Sequence, residues 1–216
     1  MTRFMFVWAV VMMFIPMIPA HAQTAVPYGV IGGGVSITSR GTGLGPAVGP
    51  GFGGNAATVL AGGGAWVNSR IAVGGEVSFS TGIDAEQTEG GFGRCCTALS
   101  AEHGLTFWSW IIKARVAKGF ALLTGPSLMH VATTATRVHR PLGESTSQPP
   151  VTTNSSTNTS ALVFGAEGLA SLSDRIKIVP GVRFFRRLKE PTTGDAIGMG
   201  SWTSRVTLSL QVTGRQ

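Results

Sequence analysis

Residues 200–214 read GSWTSRVTLSLQVTG. Trp202, Val206, Leu208, Leu210 and Val212 fall on one parity, and Thr203, Arg205, Thr207, Ser209 and Gln211 on the other. Successive side chains of a β-strand point to opposite faces, so this stretch reads as a strand with one apolar and one polar side. Four further segments obey the same rule. Ile71, Val73, Val77 and Phe79 oppose Ala72, Glu76, Ser78 and Ser80, while Trp108, Trp110, Ile112 and Val116 oppose Ser109, Lys113 and Arg115. Leu162, Phe164 and Leu172 oppose Glu167 and Ser171, and Ile176, Ile178, Val182 and Phe184 oppose Lys177 and Arg183.

Extended over the chain, the alternation predicts eight strands near 28–39, 55–67, 70–83, 104–117, 119–137, 160–173, 175–188 and 200–214. Three links are short and carry tight-turn chemistry: Asn68-Ser69, Ala117-Lys118-Gly119 and Ser173-Asp174. Four others, near 40–54, 84–103, 138–159 and 189–199, are long. The stretch from His139 to Ser160 is polar and of low complexity, and is expected to be a mobile external loop.

Composition narrows what such strands do. Only 12% of the 216 residues are charged, against about 25% in ordinary globular domains. Glycine reaches 31 residues and the mean hydropathy is +0.26. Residues 1–22, MTRFMFVWAVVMMFIPMIPAHA, have the basic start, short apolar core and small-x-small end of a secretory signal peptide. Cleavage is expected after Ala22, leaving 23–216 as a single barrel domain. No later segment is apolar for the ~20 residues that a membrane helix needs. An exported chain with little charge, many glycines and short alternating strands fits a transmembrane β-barrel. The formal charge is +7, with Arg3 in the leader. Since an exported protein meets lipid headgroups and not nucleic acid, the basic balance is assigned to anionic lipid.

Short and long connections alternate strictly, the asymmetry of an outer-membrane barrel with short periplasmic turns and long external loops. On these features residues 28–214 resemble the small eight-stranded outer-membrane barrels, the superfamily of the OmpA transmembrane domain and the OmpX and OmpW-like proteins. The resemblance implies an all-β, eight-stranded antiparallel up-and-down barrel in the bacterial outer membrane. Its partners would be outer-membrane lipid, lipopolysaccharide and the outer-membrane assembly machinery; the oligomeric state is left open with a monomer favoured, and no cofactor or metal is assigned. Such barrels usually end in an aromatic residue read during assembly, whereas this chain ends Val212-Thr213-Gly214-Arg215-Gln216.

With the apolar faces on lipid, Glu76, Lys113, Arg115, Glu167, Lys177, Arg183 and Arg205 point into the lumen. Charges so confined must pair or be hydrated, so Glu76 and Glu167 are expected to bridge some of the five cations and fill the bore. Arg186, Arg187 and Lys189, with Arg137 and Arg140 at similar height, are expected to contact lipopolysaccharide phosphates through bidentate bonds. Tyr28 and Trp66 near the periplasmic end, and Trp108, Trp110 and Trp202 toward the external end, are expected to form interface belts.

No catalytic group is assigned. His103 is placed in the second loop beside Asp84, Glu86 and Glu89, and neither His130 nor His139 begins a His-x-Ser pattern of a lipid hydrolase. The glycines of 41–54 lack the Lys-Ser/Thr pair of a phosphate loop. The adjacent Cys95 and Cys96 do not form an ordinary framework disulfide. The favoured role is structural or interactive at the cell surface, not that of a general porin. An outer-membrane lipid-modifying enzyme, and a soluble periplasmic barrel binding an apolar ligand, are the two alternatives.

Overall fold

The computed structural model describes residues 25–40, 53–91, 94–140, 149–188 and 199–214. Side chains at 40, 84–91, 94–99, 137, 139, 140, 199 and 200 lie outside the described set, as do residues 1–22, on which the expected signal peptide falls, and most of the glycine-rich stretch expected as the first loop. Cys95 and Cys96 fall on a strand with their side chains outside that set.

The strands are β1 (Val26–Arg40), β2 (Gly54–Trp66), β3 (Ile71–Gly91), β4 (Arg94–Ala117), β5 (Phe120–Arg140), β6 (Val151–Gly168), β7 (Ala170–Ser171), β8 (Ile176–Arg187) and β9 (Met199–Thr213). The two residues of β7 continue β6 past Leu169 and pair with Ile178 and Lys177 of β8. All neighbours are antiparallel, β1 pairs with both β2 and β9, and β6 pairs with β8. The sheet therefore closes into an eight-stranded up-and-down barrel, which leaves no open edge along the closed part.

The three tight turns lie at one end with residues 25 and 214. Asn68 Oδ1 accepts from the backbone N–H of Arg70 and Ile71 at 2.8 and 2.7 Å, and Ser173 Oγ from Arg175 and Ile176 at 3.4 and 3.2 Å. In the third turn Gly119 adopts φ +77°, a region in which a Cβ is strained.

At the opposite end four strands outrun their expected limits. The second loop, expected over 84–103, is mostly strand: β3 pairs with β4 from Ile71↔Ala114 to Gly91↔Arg94. The low-complexity stretch is likewise paired, from Arg137↔Val151 to Met129↔Thr159, so its second half is strand and not mobile loop. The parts of β3–β6 beyond the closed ring form a four-stranded extension rising from one side of the barrel. Gly82, at φ +72°, marks the shift in register where β3 enters it.

Side-chain direction follows parity throughout. The outer surface of the closed ring carries Ile31, Val35, Val59, Val73, Phe79, Trp110, Ile112, Leu122, Phe164, Ile176, Val206 and Leu208, all exposed. Leu208 is 60% exposed and Ile31 66%, in a band that encircles the ring. In the extension the same outward parity turns polar, through Glu102, Thr134, Asn154 and Asn158.

Candidate functional site: the filled lumen

The interior is layered along the barrel axis. Next to the short-turn end, Tyr28, Trp66 and Ala72 form a buried floor against which Val26 and Leu169 pack. The Arg115 guanidinium lies 4.4 Å from the Trp66 ring centre and donates from Nη1 to Ser69 O at 3.0 Å. Lys177, half-buried, neighbours Gln211 across the β8–β9 pair.

The next layer holds the acids. Glu167, 1% exposed, accepts from Lys113 Nζ at 2.8 and 3.0 Å and from Arg183 Nη2 at 2.6 Å. Glu76 takes Arg183 Nε at 2.6 Å and Nη2 at 2.7 Å, and Arg183 Nη1 donates to Thr207 Oγ1 at 3.0 Å. Thus Glu76 on β3, Lys113 on β4, Glu167 on β6 and Arg183 on β8 meet across the bore. Gly181 leaves them room, since a Cβ there would stand 3.0 Å from Arg183 Nη1 and 3.3 Å from Glu167 Cγ. Lys113 also lies 5.1 Å from the Tyr28 ring centre, joining this layer to the floor.

Arg205 occupies a third layer, fully buried. It donates to Ser80 Oγ at 2.9 Å, Leu105 O at 3.2 Å and Ser36 Oγ at 3.4 Å. Its guanidinium carbon lies 4.6 Å from the Phe107 ring centre and 5.6 Å from that of Phe185. Aromatic faces and a carbonyl thus take the place of a carboxylate. Above it the bore is apolar: Ile83, Leu105, Phe107, Met129, Val131, Val163 and Phe185 belong to one buried cluster. The long-loop half of the lumen thus combines this apolar cluster with buried polar groups such as His103, Thr133 and Thr203, where sequence reasoning had assigned charged and polar filling throughout.

Other assigned residues separate. Arg115 and Lys177 stand at the short-turn mouth and join none of the three ion pairs among the described residues. Tyr28 and Trp66 are not lipid-facing belt residues: both are buried inside the bore, with ring centres 6.3 Å apart. Trp108, Trp110 and Trp202 do face outward, and Trp108 ends the apolar stripe of β4. The basic cluster divides because adjacent strand residues face opposite ways. Arg186 is outside, 5.3 Å from the Trp202 ring centre, whereas Arg187 is inside and half-buried. Arg137 and Arg140 lie on β5 with side chains outside the described set, and Lys189 lies outside the described residues. His103 is not a loop residue; it is buried on β4, with Nδ1 2.9 Å from Thr133 Oγ1. His130 faces outward, 2.7 Å from Asn158 Oδ1.

Parity was the signal that could have found most of these. Tyr28 shares it with Ser36 and Thr38, and His103 shares it with Ser109 and Lys113. Among the described residues no group of His, Cys, Asp and Glu is arranged to hold a metal, and no helix is long and apolar enough to cross a membrane.

No family model matches the chain, and no curated protein does. Among solved structures, the attachment invasion locus protein Ail of Yersinia pestis is similar at 10% identity over 88% of this chain and 97% of its own, with a TM-score of 0.44. Neisserial surface protein A is similar at 11% identity over 86% and 96%, TM-score 0.42. A major outer membrane protein from Thermus thermophilus is similar at 11% identity over 88% and 99%, TM-score 0.43.

Proposed function

We propose that the chain is a bacterial outer-membrane β-barrel protein with a sealed lumen and a structural or cell-surface interaction role, not a general porin. The observation that carries this is the outward apolar band on a closed ring whose charges are inside. A band of this extent far exceeds the apolar patches that soluble monomers expose, and lipid is the solvent that suits it. A soluble barrel binding an apolar ligand would carry its apolar faces inward, so the band speaks against that alternative. A lipid-modifying enzyme of this kind would call for a histidine in an external loop, and His103 is buried on β4 instead.

Orientation follows from the turns: the tight-turn end is assigned to the periplasm and the β3–β6 extension to the cell exterior. The outer face then meets lipopolysaccharide where Arg186 lies against Trp202, an arrangement that offers a cation at the edge of an aromatic belt.

Gel mobility of the outer-membrane fraction tests the barrel. A closed membrane barrel resists SDS until boiled, so unheated and boiled samples should run differently; identical mobility, with the protein in the soluble periplasmic extract, would overturn the reading. Planar-bilayer recording tests the seal. Glu76→Ala is expected to leave conductance well below that of a general porin, because the apolar layer above Arg205 remains.

A further inference from the structure

Both buried acids are committed to Lys113 and Arg183. That leaves Arg115 and Lys177 at the tight-turn mouth without a carboxylate within salt-bridge distance among the described residues. Arg115, over the Trp66 ring, and Lys177, beside Gln211, both stand at this end of the bore, and low-dielectric walls focus the field of such cations into the mouth.

The wall beside them carries polar atoms without hydrogen-bond partners. Gln211 is fully buried, yet neither its Oε1 nor its Nε2 is paired. Ser209 Oγ and Thr213 Oγ1, on the same inward face of β9, are unpaired too, as is Trp66 Nε1, whose ring lies under Arg115. Register brings these groups to one end of the bore: Lys177 pairs with Gln211, Gln211 with Val30, and Thr213 with Tyr28 beside Gly64 on the strand that ends in Trp66. Buried polar groups almost always have partners, and several orphans on neighbouring inward positions require a common explanation.

We propose that the tight-turn mouth of the lumen is a binding site for a small phosphate-type oxyanion, held between Arg115 and Lys177 and completed by Gln211, Thr213 and Trp66. Two cations and an indole N–H supply charge and donors to the oxygens. Gln211 offers a donor and an acceptor, and hydrogenphosphate carries both an accepting oxygen and a P–OH that donates. Side-chain movement at the mouth, for which the half-exposed Lys177 stem is suited, admits the ion. The proposal takes from the proposed function only the compartment that the mouth faces.

The test is equilibrium dialysis of the full mature chain, refolded in a zwitterionic detergent, against labelled inorganic phosphate and, separately, labelled glycerol phosphate. Saturable binding of one anion per barrel is expected. Loss of one charged donor should weaken it about tenfold or more in Lys177→Met and in Arg115→Met, whereas Lys177→Arg should stay within a few-fold of the parent. Lys118→Gln, which removes an exposed cation at the same end, should change nothing. Binding of the free ion identifies a soluble anion as the ligand, and binding of the ester alone identifies a phosphorylated headgroup. Absence of saturable binding of either overturns the site, as does binding that Lys118→Gln weakens as much as Lys177→Met does. Each variant is scored for its heat-dependent gel shift on the same sample, so loss of the barrel is told apart from loss of the site.

Discussion

Glu167→Gln tests whether ion pairs hold the bore together. Glu167 is the sole carboxylate on Lys113 among the described residues, at 2.8 Å, and shares Arg183 with Glu76. After the substitution Arg183 keeps its two-point contact with Glu76, so its charge remains compensated. Lys113, 2% exposed, keeps no partner of opposite charge. Stranding one buried charge costs about 3–5 kcal/mol. A glutamine oxygen still accepts a hydrogen bond worth about 1 kcal/mol, so the expected loss is roughly 2–4 kcal/mol. Adding Lys113→Met removes the stranded ammonium, and replacing a buried pair by apolar groups is close to neutral, so the double variant should regain most of the loss. Glu76→Gln strands nothing, since Arg183 retains Glu167, and should cost less than Glu167→Gln. The assay is urea unfolding of the barrel refolded into phospholipid vesicles, followed by tryptophan fluorescence and by gel shift, approached from both directions. A loss under about 1 kcal/mol for Glu167→Gln, or a double variant no more stable than the single, would refute the reasoning.

The two buried arginines should respond differently: Arg183→Met strands Glu76, while Glu167 keeps Lys113, whereas Arg205→Met removes a charge with no carboxylate bonded to it, so urea unfolding should show the first costlier by about 2 kcal/mol or more. Tryptophan direction is checked by brominated lipids in vesicles. A mature chain keeping only Trp110 should be strongly quenched and one keeping only Trp66 hardly at all, and equal quenching would contradict the inward placement of Trp66. Gly119→Ala forces a Cβ into φ +77° and should cost about 1–2 kcal/mol, while Gly29→Ala, whose Cβ would meet nothing within 4 Å, should stay within about 0.5 kcal/mol of the parent in the same titration.

Strand number, antiparallel order and the face of each alternating residue were legible because lipid and lumen differ sharply and the pleat has a period of two. That contrast fades beyond the lipid. Ser100, Glu102, Asn154 and Asn158 are exposed polar residues on the outward parity, so parity carries little hydropathy difference there, and 84–103 and 138–159 read as loops. Residues 151–160, VTTNSSTNTS, did hold one clue in their four threonines, a residue enriched in strands. The apolar plug was hidden for another reason. Leu105 and Phe107 share the parity of Lys113 and Arg115 on β4, and Phe185 that of Arg183 on β8, while β5, with Met129 and Val131, carries no assigned lumen charge; sorting faces by their charged members does not show that one face changes character along its length. Tyr28 and Trp66 were misread because an aromatic near a strand end suits a belt outside as well as a floor inside, and parity with Ser36 and Gly62 decides between them.

Depth explains how a narrow bore tolerates more cations than acids among the described residues. Arg183 and Arg205 are direct cross-strand partners, two buried like charges whose proximity is unfavourable unless something lies between or around them. Glu76 and Glu167 meet that need for Arg183 and Lys113 at mid-depth, where carboxylates are worth their own desolvation only because each has a hydrogen-bonded cation at ion-pair distance. Arg205, one layer above, relies on two hydroxyls, a carbonyl and two ring faces, which disperse its charge without introducing a third buried anion. Arg115 and Lys177 are left at the mouth, where solvent and mobile anions reach them. Among the described residues the lumen acids thus sit in the layer of Lys113 and Arg183, and Arg115 and Lys177 stand at the tight-turn end, where an anion from outside the chain is able to balance them.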